Sequence, residues 1–153
     1  MIRAFLASDT EPVNLIMATC TRELRKVYVP KPNAARVAQI SSQSSRIVAL
    51  DHTATIVGVA EYIGRASALY VQGIAVAPTH RRQGVATELL AHSTLLAAEA
   101  GLSALEIATI RESGNVEIFC SLGFLVIDER VSERFWSPDE RPVTEVTLRR
   151  YVA

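Results

Sequence analysis

The chain has 153 residues, the length of one ordinary domain, and 49% of them are apolar, enough to bury a sizeable core. Its 16 basic and 16 acidic side chains cancel, which excludes the broad basic surface of a nucleic-acid binder and a polybasic membrane anchor while leaving room for a local basic site. No apolar run reaches the length of a membrane span and the first residues lack the regions of a signal peptide, so a single cytoplasmic domain over 1–153 is expected.

The segment IRAFLA, residues 2–7, reads as a short first strand. Ser8 and Glu11 then have the spacing of a capping box, with Pro12 in the first turn. Val13, Ile16, Met17, Cys20, Leu24 and Val27 recur at helical spacing, which predicts a helix over 13–27 with one buried face. Pro30 and Pro32 stop it. Residues 33–45, ending in SSQSS, carry the weakest pattern and read as a short helix followed by a polar loop.

RIVAL (46–50), TIVGVAEYI (55–63) and ALYVQGIAVA (68–77) are three strands of a meander, joined by turns at DHTA and GRAS. Gly73 inside the third predicts a bulge or a close backbone approach. After Pro78 a helix runs from about Gly84 to Ala100, with Gly101 as its stop. Its small face of Ala86, Leu89, Leu90, Ser93 and Ala97 suits a sheet surface. ALEIATI (104–110) is a strand and NVEIFCSL (115–122) a short helix ended by Gly123. FLVIDERV (124–131) and VTEVTLRRYV (143–152) are late strands joined by the loop SERFWSPDER. Hairpin strands combined with strand-helix-strand crossovers predict a mixed sheet with helices on its faces.

Cys20 and Cys120 lie far apart, each in an apolar helical pattern, and read as buried, reduced hydrophobes. No Cys/His spacing of a metal site occurs, so no metal is expected.

The stretch APTHRRQGVATELL, residues 77–90, places Arg81, Arg82, Gln83 and Gly84 between a strand and a helix. The first turn of a helix has unpartnered N–H groups and the positive end of the macrodipole, which together attract an anion. Gly84 removes a Cβ that would obstruct a phosphate, Ala86 keeps the next position small, and the arginines can grip phosphate oxygens in bidentate fashion. A phosphorylated ligand and a plain solvated basic turn are both open on this stretch alone. Neither a P-loop nor a Gly-x-Gly-x-x-Gly fingerprint is present.

IAVAPTHRRQGVATELL resembles the acetyl-CoA-binding segment of the GNAT superfamily of N-acetyltransferases. The family's Arg/Gln-x-x-Gly-x-Gly/Ala pattern falls on Arg81, Gly84 and Ala86, after the strand Ile74-Ala75-Val76. Downstream, GNVEIFCSLGF is similar to the family's Asn-x-x-x-[Tyr/Phe]-x-x-Leu-Gly-Phe segment, through Asn115, Phe119, Leu122, Gly123 and Phe124. The resemblance covers residues 46–130, with 1–45 matched only by the order of elements.

It implies a GNAT-like α/β fold with a mixed, splayed central sheet of six to seven strands and helices on both faces. It implies acetyl-CoA as acyl donor, its pyrophosphate cradled by the backbone of Arg82, Gln83, Gly84, Val85, Ala86 and Thr87. Ile74, Ala75 and Val76 would bond to the pantetheine arm in the manner of a strand, and backbone donors there would polarise the thioester carbonyl. Asn115 would reach the same arm, although an asparagine at that place also reads as a helix N-cap.

Two positions depart from the family. Many members carry a tyrosine that protonates the leaving thiolate; the matching residue is Phe119. Many carry a glutamate base on the strand before the CoA turn; the matching residue is Gln72. Proximity alone supplies much of the acceleration in such a transfer. Glu61, Tyr62, Tyr70 and His80 are the remaining ionisable candidates, with Glu61 as readily a solvent-facing strand residue. His80 and His52 read as loop and turn residues and His92 as helix surface, while Phe135 and Trp136 either wall a pocket or cap the core. No catalytic residue is assigned.

The expected activity is acetyl transfer to a small-molecule or peptide amine, with no nucleic-acid or membrane partner and a homodimer left open. A non-catalytic acyl-CoA-binding or regulatory module on the same fold is the alternative. A phosphate-binding domain unrelated to CoA leaves NVEIFCSLGF unexplained.

Overall fold

The computed structural model describes residues 1–32 and 44–152, so the short helix and loop expected over 33–45 lie almost wholly outside the described residues. The elements are β1 (Ile2–Ala4), α1 (Thr10–Leu24), β2 (Val29–Pro30), β3 (Ser45–Leu50), β4 (Ile56–Arg65), β5 (Ala68–Val76), α2 (Val85–Glu99), β6 (Ala104–Ile110), α3 (Asn115–Ser121), β7 (Leu125–Trp136) and β8 (Pro142–Tyr151). The strands form one mixed sheet in the order β1-β3-β4-β5-β6-β8-β7-β2. β5 and β6 pair in parallel, and β8 lies antiparallel between β6 and β7.

Eight strands replace the expected six to seven. The additional one is β2, whose Val29 and Pro30 pair with Trp136 and Phe135. The prolines there read as helix stops, yet a proline is tolerated on an edge strand, where its missing N–H is not needed. β7 correspondingly runs to Trp136, well into the expected loop, which shrinks to residues 137–141.

Helix α1 begins earlier than its apolar spacing predicts. Asp9, not Ser8, organises the start: its carboxylate accepts the Leu6 N–H at 2.8 Å and two guanidinium N–H groups of Arg3 at 2.7 and 3.0 Å. Asp9 is only 4% exposed, so an unpaired charge there would be costly. At the other end, the N–H groups of Val27 and Tyr28 fold back onto the Leu24 carbonyl, ending the helix at Leu24.

The two faces of the sheet are covered separately. Val13 and Ile16 of α1 pack on Val48, Val59 and Ala75. On the opposite face Leu89 of α2 packs on Ile47, Ala49, Val57 and Ala60, and a larger cluster joins Leu90 and Ala97 to Val71, Leu105, Val146, Leu148 and α3's Val116 and Phe119. Gly58 permits the close approach of α2 to β4: a Cβ there would lie 2.8 Å from Val85 Cγ1 and 3.1 Å from Leu89 Cδ1.

The expected irregularity at Gly73 is a bulge. Glu61 opposes Gly73 and Tyr62 opposes Val71, leaving Gln72 as the extra residue on β5. The insertion swaps the two faces. Leu69 and Val71 belong to the cluster under α2 and α3, whereas Ala75 belongs to the cluster under α1.

The cysteine expectation needs correction. Cys120 is exposed and Cys20 only half-buried, both as free thiols. Short α3 buries Val116 and Phe119, and one further residue turns Cys120 about 100° away from that face. Among the described residues no helix is long and apolar enough to cross a membrane.

Candidate functional site

The site is a gap in the sheet. β5 pairs with β6 only from Ala68–Ala104 to Val71–Ile107, and then the strands part. Beyond the bulge at Gln72, β5 stays bonded to β4 on one side and turns its other backbone edge into the gap. A cleft of about 230 Å³ opens there. Gln72, Gly73 and Ile74 line one wall and Ile107 to Ile110 the other, with Asn115 and Phe119 beyond them. Leu24, Tyr28, Tyr70, Arg134, Phe135 and Glu145 complete the lining.

β5 leads from this gap into the turn before α2. Arg82 and Gly84 both have left-handed backbone, with φ of 60° and 81°. Gly84 is the N-cap of α2 and no side chain caps it, so the helix's first N–H groups are left for a ligand. A Cβ on Gly84 would meet nothing within 4 Å, so the space in front of the helix is open. The residues present therefore fit an anionic group such as a pyrophosphate, held chiefly by backbone N–H groups.

Arg81 does not face that space. Its Nη1 lies 2.7 Å from Glu23 Oε2 and its Nη2 3.5 Å from Cys20 Sγ, which ties the turn to α1. Arg82 and Thr87 are exposed, Gln83 reaches the Thr79 carbonyl at 3.5 Å, and Val85 and Ala86 are half-buried against the sheet. Ile74, Ala75 and Val76 lie on β5 after the bulge, with Ile74 in the cleft wall.

Asn115 is the first residue of α3 and not its cap; Gly114, at φ 82°, holds that place and Ser113 Oγ accepts the Asn115 N–H at 3.2 Å. The Asn115 side chain is thereby free to line the cleft. Phe119 is 8% exposed, lines the cleft, and packs edge-on against Phe124 at 5.7 Å.

Among the ionisable candidates, Tyr70 is in the cleft lining and Gln72 stands beside it. Glu61 lies across from Gly73 on β4 and is not part of the lining. Tyr62 packs against both core clusters under α2. His80 lies 3.4 Å from Asp51 and 2.9 Å from the Thr79 hydroxyl, outside the cleft. Burial pushes the Tyr70 and Tyr28 phenols above their ordinary range, so both remain protonated at neutral pH.

Leu24, Tyr28, Arg134 and Glu145 are among the cleft residues absent from the sequence-based set. Arg134 donates from Nη2 and Nε to one oxygen of Glu145, at 2.8 and 3.3 Å. Tyr28 and Phe135 meet edge to face at 5.0 Å beside them. Phe135 is thus a pocket wall, while Trp136 pairs at the sheet edge with Val29 and Pro142 and takes Lys31 over its ring at 5.8 Å. Glu145 has one sequence signal, its place on the strand face opposite Val146 and Leu148, but that does not distinguish a cleft from solvent.

Solved structures share the fold over essentially the whole chain. A GCN5-related N-acetyltransferase from Kribbella flavida superposes with a TM-score of 0.75 at 24% identity, covering 99% of this chain and 96% of that one. The ribosomal-protein-S18-alanine N-acetyltransferase of Escherichia coli gives 0.70 at 17% identity, covering 100% and 94%. An IAA acetyltransferase from Bacillus cereus gives 0.70 at 17%, covering 99% and 98%. No curated protein sequence matches the chain. The family model of the acetyltransferase (GNAT) domain matches residues 11–137, which includes the gap, the bulge and the uncapped α2 turn, and the chain therefore belongs to the GNAT acetyltransferase family.

Proposed function

We propose that the chain, as one domain over 1–153, moves an acetyl group from acetyl-CoA to a primary amine by direct attack. The observation that carries this reading is the gap-facing backbone edge of β5, paired with no strand beyond Val71 among the described residues, which leads through the turn of residues 77–84 to the open N-terminus of α2. An extended, amide-bearing arm ending in a pyrophosphate is the ligand whose donors and acceptors match those two features in that order.

In this reading Gly84 leaves room for the pyrophosphate and the first N–H groups of α2 bind it. The backbone of Ile74 to Val76 binds the arm as an added strand and polarises the thioester oxygen. The thioester supplies an acyl carbon with a good leaving group. Ile74, Ile107 and Phe119 contribute apolar surface to the cleft wall. Phe119 donates no proton and Gln72 accepts none, so positioning contributes most of the rate and the amine must have lost its proton when it attacks. Tyr70 and Tyr28 are the phenols of the cleft that keep a proton to give.

Gln72 and Phe119 also favour a second reading, a module that binds acyl-CoA without turning it over. One experiment separates the two: calorimetry with acetyl-CoA, then a panel of amines with free thiol as the readout. Binding with thiol release supports the transferase, binding without release supports the module, and no binding removes both.

A further inference from the structure

We propose that the acceptor end of the cleft is built for a free α-amino acid with an apolar or aromatic side chain, Glu145 receiving its ammonium and Arg134 its carboxylate, the ammonium giving one proton to solvent before the neutral amine attacks. The inference rests on the acetyl-transfer reading above and names its substrate class.

Arg134 and Glu145 form an ion pair in the cleft lining. Both Arg134 contacts go to the same Glu145 oxygen, Oε1. Among the described residues, neither Glu145 Oε2 nor Arg134 Nη1 has a hydrogen-bond partner. The side chains are 19% and 39% exposed and both line the cleft. An anionic and a cationic hydrogen-bonding edge therefore stand side by side. An α-amino acid carries its ammonium and carboxylate on one carbon, roughly 3 Å apart, and so fits adjacent edges of opposite sign.

The pair is held in place by a built kink. Ser132 is 1% exposed, and its hydroxyl accepts the N–H groups of Arg134 at 3.2 Å and Phe135 at 3.1 Å. The Arg134 carbonyl in turn accepts the Lys31 N–H at 2.7 Å. The register of β7 on β8 breaks over this stretch, between Val131 and Trp136. Strand irregularities of this kind re-aim side chains, and here Arg134 and Phe135 both end in the cleft. Ser132 is thus a positioning residue.

The surroundings select the side chain. Leu24, Tyr28, Phe135 and Tyr70 offer apolar and aromatic surface. Arg25 lies 5.3 and 5.7 Å from the Tyr28 and Phe135 rings and Arg65 4.0 Å from the Tyr70 ring, so a cationic side chain meets like charge. A cleft of about 230 Å³ also suits a small acceptor better than a folded polypeptide.

The test uses matched acceptors: phenylalanine, its carboxamide and phenethylamine, and the corresponding leucine set, each with acetyl-CoA and thiol release. The amino acid should exceed the other two in kcat/KM by roughly 10- to 100-fold, the worth of one charged hydrogen-bonding contact. Arg134→Gln should erase that preference and leave the acetyl-CoA dissociation constant unchanged. Glu145→Gln should raise KM for all three amines. Arg134→Lys, which keeps the charge and loses the fork, should retain part of the preference and guards against a folding artefact. Equal use of acid, amide and amine would overturn the proposal, as would an Arg134→Gln variant that slows all three alike. Acetyl-CoA binding with no turnover of any amino acid would overturn it while leaving the cofactor site standing. Failure to bind acetyl-CoA at all would remove the acetyl-transfer reading itself.

Discussion

Replacing Gly58 with alanine puts one methyl group where α2 meets β4. The new carbon would stand 2.8 Å from Val85 Cγ1, 3.1 Å from Leu89 Cδ1 and 3.4 Å from the Ala75 carbonyl oxygen. Carbon atoms pack at about 3.5–4.0 Å, so close to 1 Å must be opened. Val85 cannot simply rotate, because a β-branched side chain in a helix has one dominant rotamer. Leu89 is fully buried behind it. The first turn of α2 must therefore lift from the sheet. Overpacking of this kind costs about 1–3 kcal/mol. In a domain of this length each kcal/mol moves Tm by about 2–4 °C, so Tm should fall by about 2–12 °C. The same displacement moves the N–H groups proposed to hold the pyrophosphate. Partial loss of one charged hydrogen bond weakens acetyl-CoA binding by about tenfold. Thermal denaturation and calorimetry measure the two effects. Gly64→Ala, on the same strand with nothing within 4 Å, is the control and should change neither. An unchanged Tm together with an unchanged acetyl-CoA affinity in Gly58→Ala would refute the reasoning that α2 is placed by this contact.

Gly84→Val should cost about 1–3 kcal/mol, because valine is strained at a φ of 81°, and should lower acetyl-CoA affinity at least about tenfold in calorimetry; a stable variant that binds normally would remove the turn from the site. Phe119→Tyr should leave acetyl-CoA affinity nearly unchanged and raise turnover by up to ~10²-fold if proton donation limits the rate. A large loss of affinity in that variant would show that the ring edge at 119 belongs to the core contact with Phe124. The Arg3 hydrogen bonds, with help from the Leu6 N–H, hold the Asp9 carboxyl at about 2, below its ordinary ~3.9. Its stabilisation is complete above about pH 4 and is lost as pH falls through about 2, so Asp9→Asn should lower Tm at neutral pH and flatten the acid limb of a Tm–pH profile; parallel profiles would contradict this. Cys120→Ser should retain any transfer activity, and an acetyl group found on Cys120 by mass spectrometry after mixing with acetyl-CoA would show otherwise.

The parts of the fold that could be read ahead of the structure are those with a periodic or conformational signature. The small face of α2 and the stop at Gly101 follow from local chemistry, side-chain spacing and a left-handed φ, and the bulge falls on Gln72, next to the glycine that signals it. The anion-binding end proposed for the site was open to a local reading for the same reason, since it would be made by one contiguous turn. The acceptor end was not, because Tyr28, Arg134 and Glu145 meet only through the sheet order, from segments far apart in sequence. Arg81 shows a related limit. Its sequence neighbours are a basic turn, while its partner Glu23 sits on α1, where no local pattern reveals it. The start of α1 was misplaced because Ser8 has the local signature of a cap, while the Asp9 carboxylate turns back to the Leu6 N–H and to Arg3, a partner outside the helix.

The placement of β8 between β6 and β7 has a consequence for how the chain assembles during synthesis. β6 and β7 are both made before β8, and the slot between them stays empty until residues 142–151 arrive. About fifteen residues separate the end of β7 from the end of β8, which at ribosomal speeds is about 1–3 s. Throughout that interval two strand edges are unpaired, and the apolar surface later covered by Val146 and Leu148, both 0% exposed when folded, faces solvent. The nascent chain is therefore most vulnerable to mispairing with another copy just before β8 arrives, and Glu145, which rides on that strand, enters the cleft only when that hazard ends.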